Sequence, residues 1–205
     1  MTSFPILLRL EERMCVVVGA GRVAAAKATG LLHHGAQVVV VAPKAVRLIR
    51  EKAQYGELVW RCRKFSAGDV RDAFLVVAAT NSPACNHAVF RACRARGVLC
   101  NVVDDPEHCD FFYPAVVRRG ALQIAISTDG NSPALAARLR KDLDRQFGPE
   151  WASFVEHVGK LRQQLLSAKL PLKKKREQLA KLAGPKSFLS FRRQMRANRH
   201  GKSPS

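Results

Sequence analysis

The sequence predicts an α/β protein: a parallel, doubly wound sheet comes first, then a smaller segment of mixed texture, then a basic helical end. Three observations carry this. Short runs dominated by apolar and β-branched residues recur at residues 14–18, 37–41, 74–79 and 98–103, as strands buried on both faces do. Helix-compatible stretches separate them, and strand alternating with helix builds parallel sheets. A glycine pair, Gly19 and Gly21, sits where the first run gives way to an alanine-rich stretch.

The elements follow in order. Met14–Val18 reads as a strand, Arg22 to His34 as a helix, and Gly35 is placed to stop it. Gln37–Val41 is β-branched, so residues 14–41 form one βαβ unit. Pro43 to Gln54 reads as helix, and Leu58–Cys62 and Phe74–Ala79 as strands. Ser82 is a helix cap with Pro83 at the first helical position, and that helix runs to about Arg96. Val98–Val103 is the next strand.

After Asp110 the texture changes. Phe111–Val117 and Leu122–Ser127 read as strands around a turn at Arg118-Arg119-Gly120. Asn131-Ser132-Pro133 opens a helix that reaches about Phe147, and Gly148-Pro149 ends it. Trp151 to Ala168 is amphipathic, with Phe154, Val155, Val158, Leu161, Leu165 and Leu166 near helical spacing. Pro171 to Arg176 breaks and restarts the helix, and from about Asn198 the tail reads as disordered. There is no internal repeat.

Composition bounds the function classes. At 205 residues and 47% apolar, the chain suits one or two domains around a sizeable core. No apolar run approaches the roughly 18–20 residues of a membrane span, so no membrane partner is expected. Met1-Thr2-Ser3-Phe4-Pro5 lacks the basic start and apolar stretch of a secretory signal, so a cytoplasmic place is expected. Cys15, Cys62, Cys85, Cys93, Cys100 and Cys109 show neither C-x-x-C nor zinc-finger spacing; they are expected to be reduced, and no metal site is expected. The net charge is +19. Residues 151–205 carry 14 basic and 2 acidic residues, a net +12, and residues 1–150 carry 21 and 14, a net +7. A basic excess suggests an anionic partner: nucleic acid, an acidic membrane surface or a polycarboxylate.

Several motifs carry chemistry. Gly19-Ala20-Gly21-Arg22-Val23-Ala24 fits the dinucleotide fingerprint. One glycine permits the tight turn, the next lets a pyrophosphate approach, and the small third residue lets helix and strand pack closely. The second strand should then end in an acid for the ribose hydroxyls. It ends Val41-Ala42-Pro43-Lys44 instead. Lys44 is either a partner for a 2′-phosphate or a solvated side chain. Ala78-Ala79-Thr80-Asn81 ends the fourth strand, where ligands lie in open α/β sheets; Thr80 suits the wall of a nicotinamide or substrate site, or simply caps a loop. Asn101-Val102-Val103-Asp104-Asp105-Pro106 ends the fifth strand at the same edge. A carboxylate there suits acid–base chemistry, but two adjacent acids leave open which one points inward, and either also serves as a turn residue before Pro106. The loop Ser127-Thr128-Asp129-Gly130-Asn131-Ser132-Pro133 offers hydroxyls and N–H groups to carboxylates, or is a helix cap.

Taken together, these segments resemble the dehydrogenase/ferrochelatase module of siroheme synthase and the stand-alone precorrin-2 dehydrogenases. The matching strings are Phe4-Pro5-Ile6, the Gly19–Ala24 fingerprint with its preceding valines, Ala78-Ala79-Thr80, Asn101-Val102-Val103-Asp104, Phe111 with Pro114-Ala115, Arg119-Gly120, and residues 124–140 around Ser127-Thr128, Gly130, Ser132-Pro133 and Leu139-Arg140. They span about residues 4–150 in order.

The resemblance implies a Rossmann-type NAD-binding domain over residues 1–113, a small α+β dimerisation segment over 114–150, and a helical basic region over 151–205. It implies NAD-dependent oxidation of precorrin-2 to sirohydrochlorin; some family members also insert Fe2+ to make siroheme. The family's catalytic Asp falls on Asp104. Its nucleotide contacts fall on Arg22, Val23, Pro43 and Lys44, beside Gly19, Gly21 and Thr80. Family members also lack the ribose acid, which favours NAD over NADP. Asn101, Ser127, Thr128, Arg119 and Arg138 are the expected substrate contacts, since fork-shaped arginines pair well with the carboxylates of an octacarboxylate substrate. Two positions depart from the pattern: Thr128 stands where some members have Ser, and Asp129 where Gly is common. A homodimer is implied, and nucleic acid is not expected as a partner. No methyltransferase domain follows, so uroporphyrinogen methylation is not expected. A bifunctional chelatase and a non-enzymatic tetrapyrrole or nucleotide binder are the competing readings.

Overall fold

The apolar runs form a parallel sheet of β1 (Met14–Val18), β2 (Gln37–Val41), β3 (Val59–Arg61), β4 (Leu75–Ala78) and β5 (Leu99–Val102), in the order β3-β2-β1-β4-β5. The computed structural model describes residues 3–200. Met1 and Thr2, from the N-terminal stretch read above, and residues 201–205 of the expected tail lie outside the described residues. The chain divides into two compact units, Met1–Tyr113 and Pro114–Ser205.

In the first unit, β1 lies centrally, with Val16 opposite both Val39 and Val76. Successive strand residues point to opposite faces, and both faces are covered. Cys15, Val17, Val38 and Val40 pack with Ala24, Ala28 and Leu31 of α1 (Arg22–Leu32) and Ile49 of α2 (Arg47–Gln54). Val16, Val18, Val39 and Val76 pack with Val89, Ala92 and Cys93 of α3 (Pro83–Arg94). Each fully buried valine of this kind contributes roughly 1.5–3 kcal/mol by burial, so the strand sequence itself is the main source of cohesion.

The helix ends follow local chemistry. Gly35 adopts φ 75°, and the Ala36 N–H returns to the Leu31 carbonyl at 3.2 Å, closing α1. The Ser82 hydroxyl accepts the Cys85 N–H at 3.3 Å at the head of α3. α2 starts at Arg47, not at Pro43 as the sequence suggests. The reason is that β3 holds the preceding loop extended: the Ala42 N–H donates to the Arg61 carbonyl at 3.2 Å, and the Trp60 indole donates to the Ala42 carbonyl at 2.9 Å. A short 3-10 turn at Ala67–Val70 occupies a stretch the sequence reading leaves without an element.

In the second unit, β6 (Ala115–Arg119) and β7 (Leu122–Ile126) form an antiparallel hairpin. Arg118 and Arg119 belong to the strand, and Gly120, at φ 57°, makes the turn. A Cβ on Gly120 would lie 3.2 Å from Ala152 Cβ, so the turn packs against α5 (Glu150–Ser167). Ser132 caps α4 (Pro133–Gln146) by accepting the Leu135 N–H at 3.3 Å. Phe154 is buried, and Trp151 stacks on Phe188 with centroids 4.2 Å apart. Past Pro171 two helices follow, α6 (Leu172–Leu182) and α7 (Pro185–His200), separated at Gly184. α7 runs through Asn198, where the sequence reads as disordered. No helix of the described residues is long and apolar enough to cross a membrane.

Candidate functional site

The carboxyl edge of the parallel sheet gathers the first group of expected site residues. β1 passes to α1 through Gly19 at φ 108°, whose N–H donates to the Val41 carbonyl at 2.9 Å. A side chain on Gly19 would collide with the Ala79 carbonyl oxygen. The turn therefore crosses the end of β4 closely, at the place where strand order reverses and open α/β sheets hold ligands.

Gly21 is constrained differently. It stands at the head of α1 with φ −77°, offers no side-chain cap, and has no protein atom within 4 Å of where a Cβ would be. The first N–H of α1 to find a helical acceptor is that of Ala25, on the Gly21 carbonyl at 2.9 Å. The N–H groups of Arg22, Val23 and Ala24 thus lack helical acceptors, the usual state of a helix N-terminus. Open space beside unpaired N–H groups at the positive end of a helix fits a pyrophosphate. Arg22 and Val23 are exposed beside this cradle, and Pro43 and Lys44 are exposed in the loop after β2. That loop is pinned to β3, because the Cys62 thiol donates to the Pro43 carbonyl at 3.4 Å.

At the end of β4, Thr80 is committed inside the unit. Its hydroxyl lies 2.7 Å from Asn86 Oδ1 and accepts the Ser82 N–H at 3.2 Å, while Asn86 Nδ2 donates to the Thr80 carbonyl at 3.1 Å. Asn101 is buried, and its Nδ2 donates to the Phe111 carbonyl at 2.8 Å. Its amide therefore ties the 109–113 segment to β5.

The geometry separates the two adjacent acids. The Asp105 carboxylate lies 2.7 Å from His108 Nδ1. Asp104 is exposed at φ 61°, and its carboxylate makes no hydrogen bond among the described residues. It lines a recess of about 190 Å³ with Lys27, Asn101, Cys109, Phe112 and Tyr113. The Lys27 ammonium sits 3.5 Å above the Tyr113 ring. Burial lowers the Lys27 pKa, and the charge of Asp104, then that of Cys109, opposes this.

The remaining expected residues belong to the second unit. The Ser127 hydroxyl accepts the Asp129 N–H at 3.1 Å, and the Thr128 hydroxyl accepts the Ser132 N–H at 3.1 Å. Asp129 has φ 51° and Gly130 φ 80°. Asp is among the residues that tolerate this left-handed backbone. Arg119 is expected at the substrate, but its Nη2 donates to Asp144 Oδ1 at 3.0 Å and to the Asp144 carbonyl at 2.9 Å, and its Nη1 donates to the Arg118 carbonyl at 2.8 Å. It clamps the hairpin to α4. Arg138 is exposed on α4.

Two features escape the sequence reading. Lys27 is one; its signal is a cation among the alanines of a helix packed on the sheet. The other is the buried Asp69, which accepts from Arg61 Nη1 at 2.8 Å, Arg63 Nη2 at 2.5 Å and the Ser66 N–H at 2.8 Å. Nothing in the linear spacing marks that cluster. Among the described residues, no group of three His, Cys, Asp or Glu side chains is arranged to hold a metal.

A family model described as NAD(P)-binding matches residues 6–115, and the model of the siroheme biosynthesis protein central segment matches residues 119–146. The chain belongs to the NAD(P)-binding family that the first of these models describes. Siroheme synthase of Photorhabdus laumondii is 38% identical over 165 residues, 80% of this chain and 35% of that protein. The Methylococcus capsulatus enzyme is 38% identical over 168 residues, again 35% of its length. The chain thus spans about a third of these relatives. A solved structure named SirC, precorrin-2 dehydrogenase, superposes with a TM-score of 0.81 at 28% identity, covering 95% of this chain and 100% of that one. The family membership agrees with the sequence resemblance, and the Rossmann-type fold agrees with the alternation of strands and helices.

Proposed function

We propose that this chain oxidises precorrin-2 to sirohydrochlorin with NAD+. The observation that carries the reading is Asp104: an exposed carboxylate without a hydrogen bond among the described residues, at the carboxyl edge of the same sheet whose β1–α1 turn leaves open space beside the head of α1. The likeness to a precorrin-2 dehydrogenase over 95% of the chain supports the same reaction.

The residues divide the work. Gly19 turns the chain tightly enough for α1 to face a pyrophosphate, and Gly21 leaves the room for it. Arg22, Val23, Pro43 and Lys44 flank the nucleotide, and the committed Thr80 loop walls it. When bound, NAD+ supplies the hydride acceptor. Asp104 takes the proton that must leave the macrocycle along with the hydride. Ser127, Thr128 and Arg138 meet substrate carboxylates in this reading; Asn101 and Arg119 shape their surroundings. The chain works as a homodimer in the cytoplasm.

The test is NADH formation from precorrin-2, followed at 340 nm. Asp104→Ala is expected to lose dehydrogenation, by at least the 10²-fold typical of a removed general base, with its oligomeric state unchanged in size-exclusion chromatography. Near-normal NADH production by this variant would remove the role assigned to Asp104.

A further inference from the structure

The site described so far gives no task to Lys27, although it lines the Asp104 recess. It is the only cation of α1 beyond the helix's first residue, and the alanines around it, Ala24, Ala25 and Ala28, are buried. Its half-buried position has a cost, because a lysine at a helix surface would ordinarily extend into water. Here the ammonium is held 3.5 Å above the Tyr113 ring, a fixed cation–π contact that removes much of the side chain's freedom. An ammonium has three donors, and a ring face engages only one side of it. The Lys27 ammonium makes no hydrogen bond among the described residues.

Size and charge narrow the ligand. A recess of about 190 Å³ is too small for a tetrapyrrole but roomy enough for one acetate or propionate arm. Its one cation is Lys27, and Asp104 is beside it. A substrate arm seated on Lys27 would hold the macrocycle edge at Asp104, and the ammonium would offset the repulsion between two carboxylates brought together. We infer that Lys27 is a substrate-anchoring residue: it receives one peripheral carboxylate of the tetrapyrrole in the Asp104 recess. This rests on the reading of the chain as a precorrin-2 dehydrogenase and deepens it.

The experiment compares wild type with Lys27→Met, which keeps the length of the stem, and with Lys27→Arg, which keeps the charge. Sirohydrochlorin binding is titrated by absorbance, and turnover is measured with precorrin-2 and NAD+. Lys27→Met is expected to weaken sirohydrochlorin binding and raise the KM for precorrin-2 by about tenfold or more, the size of one lost charge-assisted hydrogen bond. The KM for NAD+ and kcat should stay within about twofold, and Lys27→Arg should recover most of the affinity. Wild-type protein, acetylated with and without saturating sirohydrochlorin, gives a readout independent of any variant's folding: the ligand should protect Lys27 in peptide mass spectra. Unchanged binding by Lys27→Met, a kcat loss at constant KM, or an unprotected Lys27 would each overturn the inference while leaving the dehydrogenase reading in place. Failure of wild type to bind sirohydrochlorin or to oxidise precorrin-2 would overturn both.

Discussion

Asp69→Asn is the perturbation whose size follows most directly from the structure. Asp69 is 3% exposed and is held by Arg63, Arg61 and the Ser66 N–H, at the end of β3. The Arg63 guanidinium, against the opposing effect of burial, brings its carboxyl from 3.8 down to about 2. A tenfold change in proton affinity is worth about 1.4 kcal/mol, so the ionised carboxylate contributes about 2 kcal/mol at neutral pH. The folded value lies below the unfolded one. The contribution is therefore complete above about pH 4 and is lost as pH falls toward 2. Asn keeps the shape and removes the charge, leaving two guanidinium groups without their counter-charge. In urea titrations at pH 7, followed by Trp60 fluorescence in a Trp151→Phe background, Asp69→Asn should be less stable by about 2 kcal/mol at unchanged slope. At pH 3 about half of that gap should remain, and below pH 2 very little. A gap that is absent at pH 7, or that persists undiminished at pH 2, would refute the reasoning.

The two glycines of the fingerprint should separate in kind. Gly19→Ala meets the Ala79 carbonyl at a positive φ, and is expected to destabilise the first unit by at least about 2 kcal/mol in the same urea assay. A Cβ at Gly21 enters open space, so Gly21→Ala should leave stability within about 1 kcal/mol while raising the KM for NAD+ at least about tenfold, since one wrongly filled contact is worth that much. Asp104 sits at φ 61°, so Asp104→Gly should be more stable than Asp104→Ala by about 1 kcal/mol. Both should be equally inactive, which separates the carboxylate from the backbone it sits on.

The legible part of the molecule was the part governed by local rules. The valine runs, the capping Ser82-Pro83 and Ser132-Pro133 pairs, and Gly35 announce elements that stand within a few residues of expectation. α2 fails at its start because the loop before it answers to β3, a partner 18 residues on through the Trp60–Ala42 hydrogen bond. The break at Gly184 is hidden by a helix-compatible sequence on both sides. Asp69 is buried under arginines from six and eight residues upstream, and an acid in a polar stretch shows no periodicity that would announce such a contact. Asp104 and Asp105 are indistinguishable as sequence; His108, three residues beyond Asp105, settles which of them is engaged.

Hydrogen-bond commitment then sorts the polar residues of the candidate site. A donor already satisfied within the fold gives up that bond to serve a ligand, and a buried partner left behind costs about 1–3 kcal/mol. Thr80, Asn101 and Arg119 are all committed in this way, to Asn86, the Phe111 carbonyl and Asp144. They serve best by holding loops in place. The groups that retain unused capacity are different: the N–H groups at the head of α1, the Asp104 carboxylate and the Lys27 ammonium. In the proposed reaction these three meet an anionic dinucleotide, a departing proton and a substrate carboxylate. The proposed reaction assigns no chemical role to the +12 carried by residues 151–205, so altering that charge should change association with the polyanionic substrate and its salt dependence, and leave kcat unchanged.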